Sequence, residues 1–221
     1  MLVSLMEAAD RVDSTTGQQM AYLKAWAPRA HNSIELRVPD LLPRAASGKG
    51  EATCLDATDA ARALEADIAY IDPPYNQHSY LGNYHVWESL VRWDKPSVYG
   101  VACKRMDCRE RQSQFNSRPK FAGAMREILS AVRARTLIVS FSNEGFITRD
   151  ELELMLASLW HGEARVSIIE NDYKRYVGAQ IGIYNPGGQK VGKVGHLRNK
   201  EYIYVVTRTS EPNCASSRSC A

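Results

Sequence analysis

The chain has 221 residues, 44% hydrophobic and 24% charged, with a formal net charge of +3; it can bury one sizeable core, and its composition excludes a collagenous, coiled-coil or wholly disordered protein. No run reaches membrane-spanning length, "MLVSLMEAAD" lacks the basic flank and long apolar stretch of an export signal, and Cys54, Cys103, Cys108, Cys214 and Cys220 form no CxxC pair. The expectation is a cytoplasmic protein with no membrane association and no metal site.

In chain order, residues 1 to 12 read as a helix, and "TGQQMAYLKAWA" carries Met20, Leu23 and Trp26 at helical spacing until Pro28 closes it. A loop-rich stretch from 29 to 50 holds one strand candidate, "IELRV". A second candidate, "ATCL", runs into Asp56, a short helix follows near 58 to 65, and Ile68 to Ile71 read as a continuous core strand covered on both faces. Beyond it, Tyr80, Tyr84, Trp87 and Val91 fall on one apolar helix face. Residues 94 to 118 are charged and aperiodic, as functional or mobile loops are. Pro119 opens a helix to about Arg133 with Ser117 or Arg118 as its cap, "TLIVSFS" is the next core strand, and a helix runs from about Arg149 to Leu159. "ARVSIIE" and "EYIYVVTR" are two further strands. The Gly-rich, basic connection between them is too poor in apolar residues for a crossover helix, so they form an antiparallel hairpin. The tail, 209 to 221, reads as disordered.

Alternating strands and helices with a reversed last strand describe a doubly wound α/β sheet. Ligands of such sheets sit beyond the carboxyl ends of the strands, where Asp56, Asp72 and Ser140 to Asn143 fall. The main α/β domain spans 51 to 208, behind a helical and loop segment at 1 to 50.

The stretch "DIAYIDPPYN" ends a core strand in an acid, two prolines and a tyrosine. Prolines cannot donate to a ladder and hold the chain extended, which leaves carbonyls for another partner. An exocyclic amine has two N–H donors and a lone pair delocalised into its ring. With Asp72 accepting one hydrogen bond and the Pro73 carbonyl the other, the lone pair is turned out of the ring plane and becomes a usable nucleophile. Tyr75 can stack on the base, a contact of roughly 1–3 kcal/mol. Basic residues crowd two segments, one with Lys104, Arg105, Arg109 and Arg111 and one with Lys174 and Arg175, which favours a polyanionic partner.

Four ordered blocks, "AADRVDSTTGQQMAYLKAWAPRA", "DPPYNQHSYLGNYHVWESLVRWD", "LIVSFSNEGFIT" and "NDYKRYVGAQIGIYNPGG" followed by "NKEYIYV", resemble the Dam-like class of DNA adenine-N6 methyltransferases across most of residues 8 to 207. The resemblance implies a Rossmann-like, S-adenosylmethionine-dependent methyltransferase sheet acting on duplex DNA, site-specifically and in a restriction-modification setting, with residues 1 to 50 contributing to target recognition. It makes Asp72, Pro73, Pro74 and Tyr75 the amine-binding and stacking motif, with Asp56 and Asp72 on the cofactor side. Ser140, Asn143, Tyr173, Arg175 and Tyr176 surround the target base, which must leave the duplex stack to be reached. Lys104, Arg105, Arg109, Arg111, Lys174 and Arg175 then contact phosphates.

The family's Gly-rich turn after its first strand has no counterpart ahead of Asp72: Gly17 sits in a helical stretch, and no apolar strand precedes Gly48 and Gly50. The expectation is an incomplete sheet with its first strands missing, in a fragment or one half of a split enzyme whose cofactor-binding half a second polypeptide supplies. An RNA adenine methyltransferase shares the same amine chemistry, and an inactive nucleic-acid-binding remnant accounts for the missing turn. His78 and His85 read as helix-face hydrogen-bonding residues, and Trp26, Trp87, Trp93 and Trp160 as core or helix-packing residues. The glycines from 178 to 195 read as a flexible loop facing the groove.

Overall fold

The computed structural model describes residues 1–19, 25–174, 189 and 198–209. The chain divides into two compact units, one made of residues 1–52 with 78–113 and the other of 53–77 with the residues from 114 onward.

The second unit is built on a sheet. Its strands are β1 (Glu65–Ile71), β4 (Arg133–Ser142), β5 (Ala164–Lys174) and β6 (Arg198–Arg208), in the spatial order β1-β4-β6-β5. β1 and β4 are parallel, with Ile71 opposite Val139, and β6 runs antiparallel to both β4 and β5. The antiparallel last strand and the β5–β6 hairpin are therefore as the sequence indicates. The topology is that of a methyltransferase-like mixed sheet.

Helices α2 (Ala57–Ala63), α6 (Arg118–Ala131) and α7 (Arg149–Ala157) belong to this unit. Ser117 precedes α6, whose first turn holds Pro119, where the missing N–H has no partner to lose. Thr148 and Glu151 form a reciprocal capping box that starts α7. Phe121, Met125, Ile128 and Leu129 of α6 and Leu152 and Leu156 of α7 are buried against Leu137, Val139, Phe141, Tyr204 and Val206 of the sheet. Each fully buried side chain of that size contributes roughly 1.5–3 kcal/mol, whereas an exposed pair such as Arg208–Glu163 contributes about 0–1 kcal/mol. The apolar layer, not the surface charge, holds the unit together.

Alternation sends the odd residues of β1 toward this core and the even ones to the opposite face. Ala69 and Ile71 pack against the core, but Ile68 and Tyr70 are about 60% exposed. β1 is thus covered on one face only, and among the described residues it is an edge of the sheet. Two strand candidates do not form. "IELRV" and "ATCL" lie outside any strand and are exposed, because among the described residues no neighbouring strand offers a ladder or a face on which to bury them.

The first unit holds α1 (Leu2–Val12), the helical turns α3 (Tyr80–Asn83) and α4 (His85–Arg92), the small antiparallel ribbon of β2 (Val98–Tyr99) with β3 (Lys104–Arg105), and α5 (Asp107–Glu110). The expected helix after the corner is broken at Tyr84, and Gln19 makes the break. Its N–H donates to the Asn83 carbonyl at 2.7 Å, its Oε1 accepts from the Val86 N–H at 2.8 Å, and its carbonyl lies 3.3 Å from His85 Nε2. The buried side chains here are Asn83 and His85, while Tyr80 and Val91 of the predicted apolar face are exposed. Residues 16 to 19 are not helical, and Met20 and Leu23 lie outside the described residues.

Candidate active site

The corner stands where β1 stops. One step beyond the Ile71–Val139 pair, the parallel register sets Asp72 beside Ser140. Asp72 is exposed and continues the even-numbered face of β1, opposite to the face covered by α6 and α7. Tyr75 turns the other way: its ring meets that of Phe141 edge-on, with centroids 6.2 Å apart. The corner is pinned from two sides, since the Phe146 N–H donates to the Tyr75 carbonyl at 2.9 Å and Asn116 Nδ2 donates to the Asn76 carbonyl at 2.8 Å. Phe115, Phe121, Phe141 and Phe146 form a chain of edge-on and tilted ring contacts beneath it. An acceptor loop fastened in this way is preorganised.

Ser140 is buried and donates through Oγ to Glu201 Oε1 at 2.9 Å. Although Asp72 reaches solvent, partial desolvation of its carboxyl raises the pKa, and the Glu201 carboxylate raises it further. Glu201 is a site residue that the sequence reading missed; the signal available was an acid opening the apolar run "EYIYVV". Asn143 serves the fold: its N–H donates to the Lys200 carbonyl and its Oδ1 accepts from the Lys200 N–H, both at 3.0 Å, which prolongs the β4–β6 ladder by one side chain. Asn199 Nδ2 donates to Glu144 Oε2 at 2.7 Å beside it. Gly145 lies under the corner because a Cβ there would meet the Phe141 ring at 2.3 Å.

The structure brings Asp72, Ser140 and Glu201 together but not Tyr173. That residue is on β5, three strand spacings from β1, or about 14 Å across the sheet. Lys174 ends the same strand and is exposed. Arg175 and Tyr176 lie outside the described residues. Asp56 does not end a strand; it caps α2, its carboxylate accepting the Thr58 N–H at 2.9 Å. Arg105 is a correction to the phosphate contacts. It is 3% exposed, and its guanidinium donates to Asp94, Asp107 and Ser89 through all three nitrogens, leaving it structural. Arg109 stacks over Tyr99 at 3.9 Å, and Arg111 donates to Glu88 at 3.2 Å. Trp26 and Trp93 are corrections as well, being 75% and 82% exposed rather than in a core. Among the described residues no group of His, Cys, Asp and Glu could hold a metal ion, and no helix is long and apolar enough to cross a membrane.

Residues 1–151, which include the corner and β4, match the family model of the D12 class N6 adenine-specific DNA methyltransferases. The chain belongs to this family. This methyltransferase chain is 32% identical over 176 residues to "Modification methylase StsI" of Streptococcus sanguinis, covering 80% of itself and 26% of that protein. It is 31% identical over 177 residues to "Type II methyltransferase M.FokI" of Planomicrobium okeanokoites, covering 80% and 27%. To "Type II methyltransferase M.NlaIII" of Neisseria lactamica it is 23% identical over 211 residues, covering 95% and 58%. The chain thus spans about a quarter of the first two relatives and just over half of the third. No solved structure matches it at a significant level. The family draws its methyl group from S-adenosylmethionine, but the described residues do not form a cradle for it. Gly17, Gly48 and Gly50 stand in open space, where a Cβ would meet nothing within 4 Å, and no strand precedes them.

Proposed function

We propose that this chain carries the amine-holding and target-binding part of a site-specific DNA adenine-N6 methyltransferase of the Dam-like class, a modification enzyme whose Gly-rich cofactor half is supplied by a further segment or by a second polypeptide. The observation that carries the reading is the pinned Asp72–Pro73–Pro74–Tyr75 corner at the carboxyl end of β1, with its acid on the open face of the sheet and its aromatic ring braced from the core. The exposed edge and face of β1 support the second part, since an apolar edge strand is ordinarily paired or covered.

Asp72 and the Pro73 carbonyl accept the two amine hydrogens of an adenine drawn out of the duplex, and Tyr75 stacks on the base. Ser140 keeps Glu201 beside Asp72, with Asn143, Arg175 and Tyr176 around the base. Asp56 and Asp72 face the cofactor, S-adenosylmethionine, which supplies the methyl group as a sulfonium. Lys104, Arg109, Arg111, Lys174 and Arg175 contact phosphates, giving affinity that falls with salt.

In an enzyme reconstituted with its cofactor half, Asp72→Ala abolishes methylation of duplex DNA and leaves duplex affinity nearly intact; retained turnover would refute the role of Asp72. Assaying duplex DNA beside RNA in that enzyme separates the two adenine substrates, and methylation confined to RNA would overturn the DNA reading.

A further inference from the structure

Trp93 follows the last turn of α4 in a left-handed backbone conformation, φ 53° and ψ 42°, and is 82% exposed. Glycine takes such a position without strain, and a polar residue would take the exposure. The sequence instead places its largest aromatic side chain there. The backbone beneath it is held firmly: the Trp93 N–H donates to the Ser89 carbonyl, and the next residue, Asp94, accepts two hydrogen bonds from the buried Arg105 guanidinium at 2.6 and 3.0 Å. Asp107 accepts from the same guanidinium, and Glu88 pairs with Arg92 and Arg111. Glu88, Asp94 and Asp107 are therefore engaged by arginines, whereas Lys95, two residues from Trp93, is exposed. An exposed indole on a held backbone, in a segment where Lys and Arg outnumber Asp and Glu, suits a nucleobase with its phosphates.

We propose that Trp93 is a base-stacking residue, which receives a nucleobase displaced from the stack of the bound DNA. This deepens the DNA-binding reading above and rests on it. An apolar protein partner would seek a wider uncharged surface than a lone indole beside a lysine.

The test is fluorescence anisotropy of the enzyme reconstituted with its cofactor half, with two labelled duplexes, one fully paired and one carrying a single bulged adenine, using Trp93→Ala, Trp93→Phe, Trp93→Gly and, as an exposed control, Trp26→Ala. Stacking on an aromatic side chain of the usual strength predicts that Trp93→Ala weakens binding of the bulged duplex by about 5- to 150-fold and the paired duplex less. Trp93→Phe keeps most of the affinity. Trp93→Gly melts at a higher temperature than the parent, because it relieves the left-handed tryptophan, yet loses the bulge preference; that combination is not expected of a merely structural residue. Unchanged affinity in Trp93→Ala, or an equal loss for both duplexes shared by Trp26→Ala, overturns the inference while leaving the DNA-binding reading intact. A completed enzyme that binds neither duplex overturns both.

Discussion

At the scale of single residues, the corner pairs an accessible acid with a braced ring, and each side can be probed alone. Replacing Tyr75 by Phe keeps a stacking face, so base affinity should change little, whereas Tyr75→Ala removes it and should weaken target binding by roughly 1–3 kcal/mol, read as Kd for a duplex with an unpaired adenine. Asp72 must be ionised to accept from the amine. Partial desolvation and Glu201 both raise its pKa, so methylation should fail on acidification at a higher pH than an ordinary aspartate would impose. Glu201→Gln removes the second of these causes and should move that acid limb to lower pH, as measured by a pH profile of single-turnover methylation. The stability sign is opposite to that of a salt-bridged acid: an acid whose folded pKa is raised contributes stability at low pH that is lost as pH rises through that pKa. Asp72→Asn should therefore raise the melting temperature at neutral pH.

At the scale of elements, the loop after β4 carries the corner through Phe146 and Gly145. A methyl group at 145 would collide with the Phe141 ring, and overpacking of that kind typically costs about 1–3 kcal/mol; Gly145→Ala should destabilise the chain in urea and disturb the Tyr75 ring together. In the other unit, Arg105 gathers β2, β3, α4 and α5 through Asp94 and Asp107, whose pKa values it lowers chiefly by hydrogen bonding. Depressed acids contribute stability above their unfolded pKa that is lost as pH falls through the folded one. Amide exchange in residues 85–110 should accordingly accelerate only below the ordinary aspartate range, and Arg105→Ala should abolish that protection at all pH values. β4, the β5–β6 hairpin and the helices α6 and α7 were legible in the sequence because their apolar periods coincide with burial, whereas the apolar run of β1 reads as buried on both faces and is covered on one. "ATCL" was not, since its propensity has no neighbouring strand among the described residues to satisfy it. The break at Tyr84 was invisible because Gln19, far earlier in the chain, makes it. The candidate corner stands out in four letters of sequence, but Glu201 reaches it only through the antiparallel return of β6, which local pattern does not reveal.

At the scale of the whole molecule, the sheet presents one buried face and one open face that carries Ile68, Tyr70 and the corner's acid, Asp72. An exposed apolar edge promotes strand-to-strand association, so the isolated chain should self-associate on concentration, and Ile68→Lys should reduce this, as followed by sedimentation velocity. In the function proposed above, a further segment that carries the cofactor covers this open face. The most direct measurement is nitrogen-15 spectroscopy of a duplex labelled at the target adenine amino group, bound to the completed enzyme. Both amino protons should move into the hydrogen-bonded range, and Asp72→Ala should return one of them toward its solvent-exposed position. Amino resonances indifferent to the loss of Asp72 would contradict the account.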